Sequence, residues 1–375
     1  MDHCIGDGLS LASLLAVIAT ESEESSKPIQ LEQVSPLFAS IKKLNWWQRL
    51  WIQYAFLWPP NLLRCIKYMK KMVAASSDPI TPLMPISDHS KEMKKIPVHR
   101  YGTVYLCPLP VGLFKRLARA KGIHITVSDV LVSCVCDTVR RYLHLVGFET
   151  DCDCEADAIH FGVPLAVPVK PPTHYLDESK GLNSLFIPTG YELPLAKSLC
   201  FSDLLNLMHD AFEYVKRSYI TSLMTFMFRL MSFFIKPDHM VDGMKDGMGK
   251  ATYVWSNVPG PTIPIYISGH KVSEIQCVVS NPFCMMQTCS YNGRVFTNIQ
   301  VDTRSSIQSD LLFKAYVECI KAAIEELLLP GVEQQDALRT LEEASTKHYP
   351  GPFLSLVQED ELEKMSIDVD PSLKT

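Results

Sequence analysis

An Asn292-Gly293 pair stands between two strand-like runs, Thr288–Tyr291 and Val295–Val301. Asn-Gly is a strong signal for a two-residue hairpin turn, because both residues tolerate the positive φ angles that the turn requires. The pair therefore predicts that these runs form a β-hairpin. Elsewhere the predicted strands and helices mix without the regular strand–helix–strand period of a doubly wound sheet. The sequence as a whole predicts an α+β fold.

The other element predictions rest on apolar periodicity. Thr126–Leu145 repeats apolar residues at intervals of three and four, which is typical of a long helix. Thr126 with Asp129 three residues on predicts a box-like cap at its start. Further predicted helices are Val111–Lys121, Phe201–Arg217 and Leu311–Leu329, and further predicted strands are Gly102–Leu109, Ile159–Val169, Ser184–Leu193, Ala251–Ser256 and Lys271–Val279.

Composition narrows the class of protein. The chain has 375 residues, 47% of them apolar and 21% charged, which is enough for two ordinary globular domains or one large one. The net charge of −5 gives no electrostatic basis for nucleic-acid binding. The 12 cysteines show neither a CxxC pair nor zinc spacing, so we predict no metal site and a reducing compartment.

The first eight residues, Met1-Asp2-His3-Cys4-Ile5-Gly6-Asp7-Gly8, contain a candidate catalytic pair. His3 has the chemistry of a general base, Asp7 four residues on could fix its geometry, and Gly8 permits a sharp turn. Taken alone, this spacing is more typical of a surface histidine at a frayed terminus. The apolar run Leu9–Ala19 predicts a buried helix rather than a signal peptide, because the residues before it include two Asp and no Lys or Arg.

Two apolar segments leave alternatives open. Trp46–Trp58 is strongly aromatic, and after a Pro pair Leu62–Val73 carries four basic residues. The combination fits an amphipathic helix at a membrane interface, or equally a helix packed on the protein's own core. Tyr219–Ile235 is too short and too charged for a membrane span, and we interpret it as a core helix or one lining an acyl channel.

Five sequence blocks occur in a characteristic order. They are His3 to Gly8, Thr126-Val127-Ser128-Asp129-Val130-Leu131, Val167-Pro168-Val169 with Gly181 and Asn183, Trp255-Ser256-Asn257-Val258-Pro259-Gly260-Pro261, and Ser290-Tyr291-Asn292-Gly293 with Asp302. Together they resemble the wax ester synthase/diacylglycerol acyltransferase family, within the superfamily of CoA-dependent acyltransferases. The Asn-Val-Pro-Gly-Pro stretch is the most specific block. The chain departs from the family at Asp2, where the family motif has its first His, and at Ser128, where it has Asn.

The resemblance implies a two-lobed fold like that of chloramphenicol acetyltransferase, with mixed sheets flanked by helices. Family members carry much of the first lobe before the His motif, so we expect this chain to be truncated at its N-terminus, with an incomplete first lobe. The expected organisation is a first-lobe remnant at 1–75, a linker at 76–98, a C-terminal lobe at 99–332 and a polar, partly disordered tail at 333–375.

The resemblance also implies transfer of a fatty acyl group from acyl-CoA to a long-chain alcohol or diacylglycerol. His3 would take the proton from the alcohol and Asp7 would hold the ring. Ser128 and Asn257 would face the oxyanion, although Asn257 could instead brace a loop. The expected structural motif residues are Gly8, Asp129, Pro259 and Gly260, with a helix cap as the alternative role for Asp129.

No metal or bound cofactor is required by this chemistry, since acyl-CoA is a substrate. The expected partners are acyl-CoA, a lipid alcohol and a membrane surface, without nucleic acid. The expected location is the cytosolic face of the endoplasmic reticulum membrane, or alternatively the plasma membrane. A second reading is a catalytically inactive truncated remnant with a lipid- or membrane-binding role. A third is a transferase for small alcohols, against which the apolar Tyr219–Ile235 segment argues.

Overall fold

The computed structural model describes a large part of the chain. The residues described are 18–22, 44–75, 77–84, 101–122, 124–148, 158–166, 186–231, 233–234, 236, 239, 250–278, 284–302, 305–347 and 354–355. The predicted catalytic residues His3, Asp7 and Gly8 lie outside them. So do the block at Val167-Pro168-Val169 and most of the proposed first-lobe remnant.

The described helices follow the sequence pattern closely. The helix α4 starts after Thr126, whose side chain and that of Asp129 close a reciprocal capping box, as predicted. A second capping box, between Asn45 and Gln48, starts α1. The helices are α1 (Trp46–Tyr54), a 3₁₀ turn (Ala55–Leu57), α2 (Pro59–Ala74), α3 (Val111–Lys121), α4 (Val127–Leu145), α5 (Phe201–Ser218), α6 (Ile220–Met231), α7 (Ser309–Leu327) and α8 (Val332–Lys347).

A mixed sheet forms the centre of the described residues. Its strands are β1 (Tyr101–Tyr105), β2 (Leu109–Pro110), β3 (Ala158–Ala166), β4 (Phe186–Pro194), β5 (Tyr253–Pro259), β8 (Cys284–Tyr291), β9 (Arg294–Asp302) and β10 (Leu354–Ser355), while β6 (Tyr266–Ile267) and β7 (His270–Lys271) form a separate ribbon. The order is β10-β1-β9-β8-β5-β3-β4, with β2 beside β9. The pairs β3–β5 and β5–β8 are parallel and the other pairs antiparallel. The predicted α+β class is confirmed.

The β8–β9 hairpin turns at Asn292 and Gly293, as the sequence predicts. Both residues have positive φ, 45° and 76°, which fits the type of turn that Asn-Gly favours. Because the hairpin fixes the register, Gln287 lies opposite Asn298 and Met286 opposite Ile299. Alternate side chains therefore point to opposite faces of the sheet.

One face of the sheet is covered by helices. Met286 and Ile299 on this face are buried in one continuous apolar core with residues of α4 and α7, such as Val135 and Ile320. The helix α4 has little accessible surface along most of its length, because it lies between the sheet and the other helices. Burial of this kind supplies most of the free energy that holds the layers together.

The described part of the predicted linker at 76–98 is attached to the central sheet. Within residues 77–84, Thr81, Leu83 and Met84 are buried, and Leu83 belongs to the apolar core. The carboxylate of Asp78 accepts hydrogen bonds from the backbone N–H groups of His160 and Thr252, at 2.7 and 2.9 Å, and from the side chains of both residues. The Ser and Pro content of the segment suggested a spacer. A single buried carboxylate that four donors satisfy attaches it to the sheet instead.

Two other element predictions need correction. Residues 332–347 form α8, where we predicted a polar tail, because the buried Ala337 and Leu341 give the helix a narrow apolar stripe. The predicted strand Lys271–Val279 is limited to β7, and residues 272–278 are irregular.

The helix α2 is attached to the outermost strand, β4. The Tyr68 hydroxyl accepts a hydrogen bond from the Gly190 N–H at 2.9 Å and donates one to the Gly190 carbonyl at 3.1 Å. Lys71 forms an ion pair with Glu192 at 2.9 Å. The helix α2 is thus attached to β4, the strand at one end of the described sheet.

Candidate functional site

Ser128 and Asn257 lie side by side at the start of α4. The Asn257 amide nitrogen is 3.4 Å from the Ser128 hydroxyl oxygen, and Thr288 donates to the Asn257 amide oxygen at 3.0 Å. Thr288 is the register partner of Asn257 on the adjacent strand β8, so the strand pairing fixes the amide. Fold and pairing thus unite two predicted site residues that are far apart in the sequence.

This arrangement presents hydrogen-bond donors to solvent. Ser128 is exposed and sits in the first turn of α4, where backbone N–H groups have no partner within the helix. Because its hydroxyl oxygen accepts from Asn257, its own proton is available for donation. An amide, a hydroxyl and the positive end of a helix dipole together suit an oxygen that carries negative charge.

Asp129 serves the structure of this helix start. Its carboxylate accepts from the Thr126 backbone N–H and the Thr126 hydroxyl, each at 2.8 Å. The same oxygen is 3.1 Å from Nδ1 of His209 on α5. Asp129 is almost fully buried, so its charge is held by these donors rather than by water. The sequence did not identify His209, because it is 80 positions away and stands in no recognisable motif.

His209 also borders a surface cavity of about 290 Å³ between α2 and α5. Its other described lining residues are Arg64, Asp210, Glu213, Tyr214 and Arg217. Burial raises the pKa of Glu213. The hydrogen bond from Lys216 and the positive charges of Lys216 and Arg217 outweigh this effect, so the pKa lies below its usual value. The carboxylate is therefore ionised at neutral pH and paired with the nearby cations.

Pro259 and Gly260 close the end of β5 against β8. A Cβ atom on Gly260 would lie 2.3 Å from the carbonyl oxygen of Ser290, which no side chain permits. The Gly260 N–H instead donates to the Ser290 hydroxyl at 3.3 Å. The Pro-Gly pair is thus a close-approach site that keeps β5, and Asn257 with it, in place.

The chain that follows the predicted His3 motif meets the same region. Thr20 exchanges two backbone hydrogen bonds with Tyr266, at 2.9 and 3.0 Å. Ala19 is fully buried with Ile265, Tyr291 and Phe296. Tyr266 follows Gly260 in the chain, close to the end of β5. Residues Ala19 and Thr20, which are among the described residues nearest to the His3 motif in sequence, therefore pack beside the end of β5.

The sheet face opposite the helices carries buried polar side chains. Gln287, Asn298 and Gln300 are each at most 2% exposed, and Thr103 is 3% exposed. Among the residues that the structure describes, no hydrogen-bond partner is found for either amide atom of Gln287, for the amide oxygens of Asn298 and Gln300, or for the hydroxyl of Thr103. Each such atom costs about 1–3 kcal/mol when it is buried unpaired. The Asn298 nitrogen does pair, with Gln276 and with the Cys277 carbonyl.

Several buried thiols lie near the sheet, and burial makes them poor nucleophiles. Desolvation raises the pKa of Cys107 and of Cys136 to about 12, and that of Cys65 to about 11. These three thiols are protonated at neutral pH, whereas thiolates are the reactive form. In the part of the chain that the structure describes, no group of three or more His, Cys, Asp or Glu residues is arranged to hold a metal ion.

A comparison with models of protein families gives a match to the central segment of the chain. Residues 192–327 match the model of the WS/DGAT C-terminal domain. These residues are therefore similar to a WS/DGAT C-terminal domain. The family resemblance seen in the sequence is therefore confirmed. This WS/DGAT domain runs from within β4 to the end of α7, so it contains Asn257, Pro259 and Gly260, while Ser128 and Asp129 precede it.

Several solved structures, of an acyltransferase and of polyketide- and peptide-synthetase domains, resemble this chain. The wax ester synthase/diacylglycerol acyltransferase from Marinobacter aquaeolei VT8 has 16% identity and a TM-score of 0.47, covering 87% of this chain and 66% of its own. The EpoB cyclization-docking bidomain from Sorangium cellulosum has 13% identity and a TM-score of 0.48, covering 86% and 59%. The condensation domain of the enacyloxin polyketide synthase has 12% identity and a TM-score of 0.46, covering 88% and 58%.

The chain therefore spans less than two thirds of the length of these proteins. No curated protein sequence matches it.

Proposed function

We propose that this chain belongs to an O-acyltransferase that moves a fatty acyl group from acyl-CoA to a long-chain alcohol or diacylglycerol. The observation that carries the proposal is the contact of Asn257, inside the WS/DGAT domain, with Ser128 at the start of α4. It supports the proposal because acyl transfer passes through a tetrahedral oxyanion, which needs fixed hydrogen-bond donors.

In the proposed reaction the alcohol oxygen attacks the carbonyl carbon of the thioester. His3 takes the alcohol proton, and Asp7 holds the imidazole in the orientation for that transfer. The Ser128 hydroxyl and the Asn257 amide donate to the carbonyl oxygen as it becomes negative. The intermediate then collapses, the carbon–sulfur bond breaks and CoA leaves as the thiolate, which accepts the proton from His3. The residues need no bound metal or cofactor for these steps.

The test is ester formation from radiolabelled palmitoyl-CoA, with hexadecanol and dioleoylglycerol as alternative acceptors. We expect His3→Ala to lower turnover about a hundred-fold to ten-thousand-fold, the usual contribution of a general base. Asn257→Leu and Ser128→Ala should each lower kcat about ten-fold or more, with little change in KM, because the donors act on the transition state. The control is Ser345→Ala on α8, since this hydroxyl donates to the Glu342 carbonyl of its own helix. Unchanged kcat in folded Asn257→Leu would remove the proposed oxyanion contact.

The same assay separates the second candidate function, a catalytically inactive protein that binds lipid or membrane. If the 375-residue chain shows no ester formation while a version extended at its N-terminus is active, the second function gains support for this chain.

For the cellular location we propose the cytosolic face of the endoplasmic reticulum, with the plasma membrane as the alternative. Deletion of residues 46–58 should move the protein from the membrane fraction to the soluble fraction. Within the described residues no helix is long and apolar enough to cross a membrane. An unchanged distribution after the deletion would contradict a membrane role for this segment.

A further inference from the structure

Two cysteine side chains meet on the sheet face opposite the helices. Cys289 lies on β8, and Cys277 lies in the irregular segment 272–278 that follows β7. The thiol of Cys289 donates a hydrogen bond to the sulfur of Cys277, and both cysteines are free thiols in the structure. A disulfide requires two cysteines whose side chains point towards each other, and this pair meets that requirement.

The strand pairing independently places the two cysteines on the same face. Side chains alternate along β8, so Cys289 shares a face with Gln287, whose register partner on β9 is Asn298. The Asn298 amide nitrogen donates to the Cys277 carbonyl at 2.8 Å and to the Gln276 side chain at 3.2 Å. The segment with Cys277 is therefore held over the face from which the Cys289 thiol points.

The start of the same segment is attached to the sheet as well. The Val272 N–H donates to the Ile265 carbonyl at 2.9 Å, and the Tyr291 hydroxyl donates to the Val272 carbonyl at 2.7 Å. Val272 and Ile275 also pack against the apolar cluster that contains Tyr291. The position of Cys277 over β8 is thus set by contacts on both sides of it in the chain.

The two thiols differ in access and in acidity. Cys277 is partly exposed, whereas Cys289 is buried. The hydrogen bond from Cys289 lowers the pKa of Cys277, against the opposing effect of burial. The same hydrogen bond, burial and the charge of a Cys277 thiolate all raise the pKa of Cys289. Cys277 therefore differs from Cys107 and Cys136, because it ionises more readily and solvent reaches it.

We propose that Cys277 and Cys289 are an oxidation site, at which a peroxide converts the two thiols into a reversible disulfide. Cys277 is the thiol that the oxidant meets first, because it is the accessible member of the pair. Cys289 is the resolving thiol, because it is buried directly against the Cys277 sulfur. In a reducing compartment the pair stays as two thiols until the concentration of peroxide rises.

The reaction proceeds in two steps. The Cys277 thiolate attacks one oxygen of hydrogen peroxide, so that a sulfur–oxygen bond forms and the oxygen–oxygen bond breaks. Hydroxide leaves and takes up the proton that the thiol had lost, which leaves a sulfenic acid on Cys277 and one molecule of water. The Cys289 sulfur then attacks the Cys277 sulfur, and the sulfenic oxygen leaves as a second water with the Cys289 proton. The two sulfurs lose two electrons in total, and the peroxide gains them.

The disulfide lies beside the end of β5. A Cβ on Gly260 would be 3.7 Å from the Cys289 sulfur, and the register partner of Cys289 on β5 is Val258, which directly follows Asn257. The bond therefore attaches the segment 272–278 covalently at the point where β5 and β8 approach most closely. A change in ester formation on oxidation would rest on the proposed function, whereas formation of the disulfide does not.

The test treats the complete 375-residue chain, reduced and then freed of reductant, with hydrogen peroxide. The remaining thiols are alkylated as the protein is denatured, and the chain is digested with trypsin without reduction. Residues 272–294 form one tryptic peptide, which contains Cys277, Cys284 and Cys289. We expect this peptide to lose two hydrogen atoms and to carry a single alkyl group, on Cys284. Treatment with dithiothreitol before alkylation should restore three alkylated cysteines.

Single substitutions separate the roles of the two thiols. Cys277→Ser and Cys289→Ser each remove one sulfur of the pair, so we expect complete loss of the disulfide in both variants. In Cys289→Ser the sulfenic acid on Cys277 loses its resolving thiol, and dimedone should label it. The matched control is Cys200→Ser, since Cys200 is also partly exposed but burial raises its pKa. This control should form the disulfide as readily as the wild type.

Circular dichroism checks the folding of each variant, and Cys277→Ser replaces a partly exposed side chain, so it tests the pair even if the buried Cys289→Ser variant does not fold. The proposal is overturned if peroxide leaves all three cysteines of the peptide open to alkylation, or if the bond involves Cys284. It is also overturned if dithiothreitol does not restore the thiols, because the product would then be a higher oxide. These readouts concern the thiols alone. A failed acyltransferase assay leaves them unaffected, so the two proposals fail separately.

Discussion

The two faces of the central sheet differ in the side chains that they bury, which are apolar on one face and polar on the other. On the helix-covered face, Met286 and Ile299 are buried in a continuous apolar core. On the opposite face their sequence neighbours Gln287, Asn298 and Gln300 are equally buried, yet several of their amide atoms have no hydrogen-bond partner within the described part of the chain. Apolar burial on the first face stabilises the fold, whereas a buried polar atom without a partner would reduce stability. The second face lies beside the contact between Thr20 and Tyr266, since Tyr291 and Phe296 pack there with Ala19.

The largest effect is expected from a charge buried in the helical layer. The carboxylate of Asp137 on α4 is fully buried and forms ion pairs with Arg140 and Arg141. Asp137→Ala leaves Arg140 buried without its counter-ion, so we expect a loss of about 3–5 kcal/mol in the free energy of unfolding. Urea unfolding measures the change. Asp336→Ala is the control, because its pairs with Arg116 and Arg339 are exposed and contribute at most about 1 kcal/mol. Equal losses in the two variants would contradict the assignment.

The apolar face itself is tested by Met286→Ala. The side chain is 1% exposed, and its removal leaves a cavity that the packed core fills only in part. We expect the free energy of unfolding to fall by about 2–5 kcal/mol. Measurement by urea unfolding with unchanged slope would establish that the loss is in stability rather than in compactness. A loss below about 1 kcal/mol would show that this face is loosely packed.

The adjacent residue should behave in the opposite way. Gln287→Met replaces an amide that has no partner among the described residues with an apolar side chain of similar volume. We expect the free energy of unfolding to stay within about 1 kcal/mol of the wild type, or to increase, because no hydrogen bond is lost. A decrease comparable to that of Met286→Ala would mean that the Gln287 amide is paired in the folded protein, and the contrast between the faces would fail.

The smallest effect concerns pH at the end of α4. Burial lowers the pKa of His144 below its usual 6.5, and the nearby cations Arg140 and Lys197 lower it further, against the opposing hydrogen bond to the Leu195 carbonyl. The unfolded chain therefore binds a proton first as pH falls below 6.5, and the folded state loses stability in that range. Above 6.5 both states are neutral and the contribution disappears. Unfolding at pH 5 and pH 8 should show a smaller acid loss in His144→Gln than in the wild type; an equal loss in both proteins would exclude this histidine.

Local signals in the sequence predicted much of the fold. The Asn292-Gly293 turn, the Thr126 cap and the Pro pair in the first turn of α2 each act within a few residues, so the local sequence specifies them. The sequence blocks also led to Ser128 and Asn257, which the structure brings within 3.4 Å of each other. Their role in catalysis stays a prediction, as do the roles of His3 and Asp7.

The remaining features depend on contacts between distant parts of the chain. Asp78 holds residues of β3 and the approach to β5, and His209 reaches Asp129 from another helix. Neither pairing leaves a local pattern. The polar face of β8 was missed for a different reason. Both faces of this strand are buried, so the alternation that normally identifies the outward side chains is lost. The helix α8 was missed because it buries few apolar residues.

The phenol of Tyr68 has a further consequence at the margin of the sheet. An outermost strand such as β4 exposes unpaired backbone groups, which can pair with a strand of another molecule and start aggregation. One tyrosine hydroxyl binds both the N–H and the carbonyl of Gly190, and the methyl group of Met72 lies 3.5 Å from where a Cβ of that glycine would be. An incoming strand therefore finds these groups occupied midway along β4. The helix α2 thus protects the sheet from joining another sheet edge to edge.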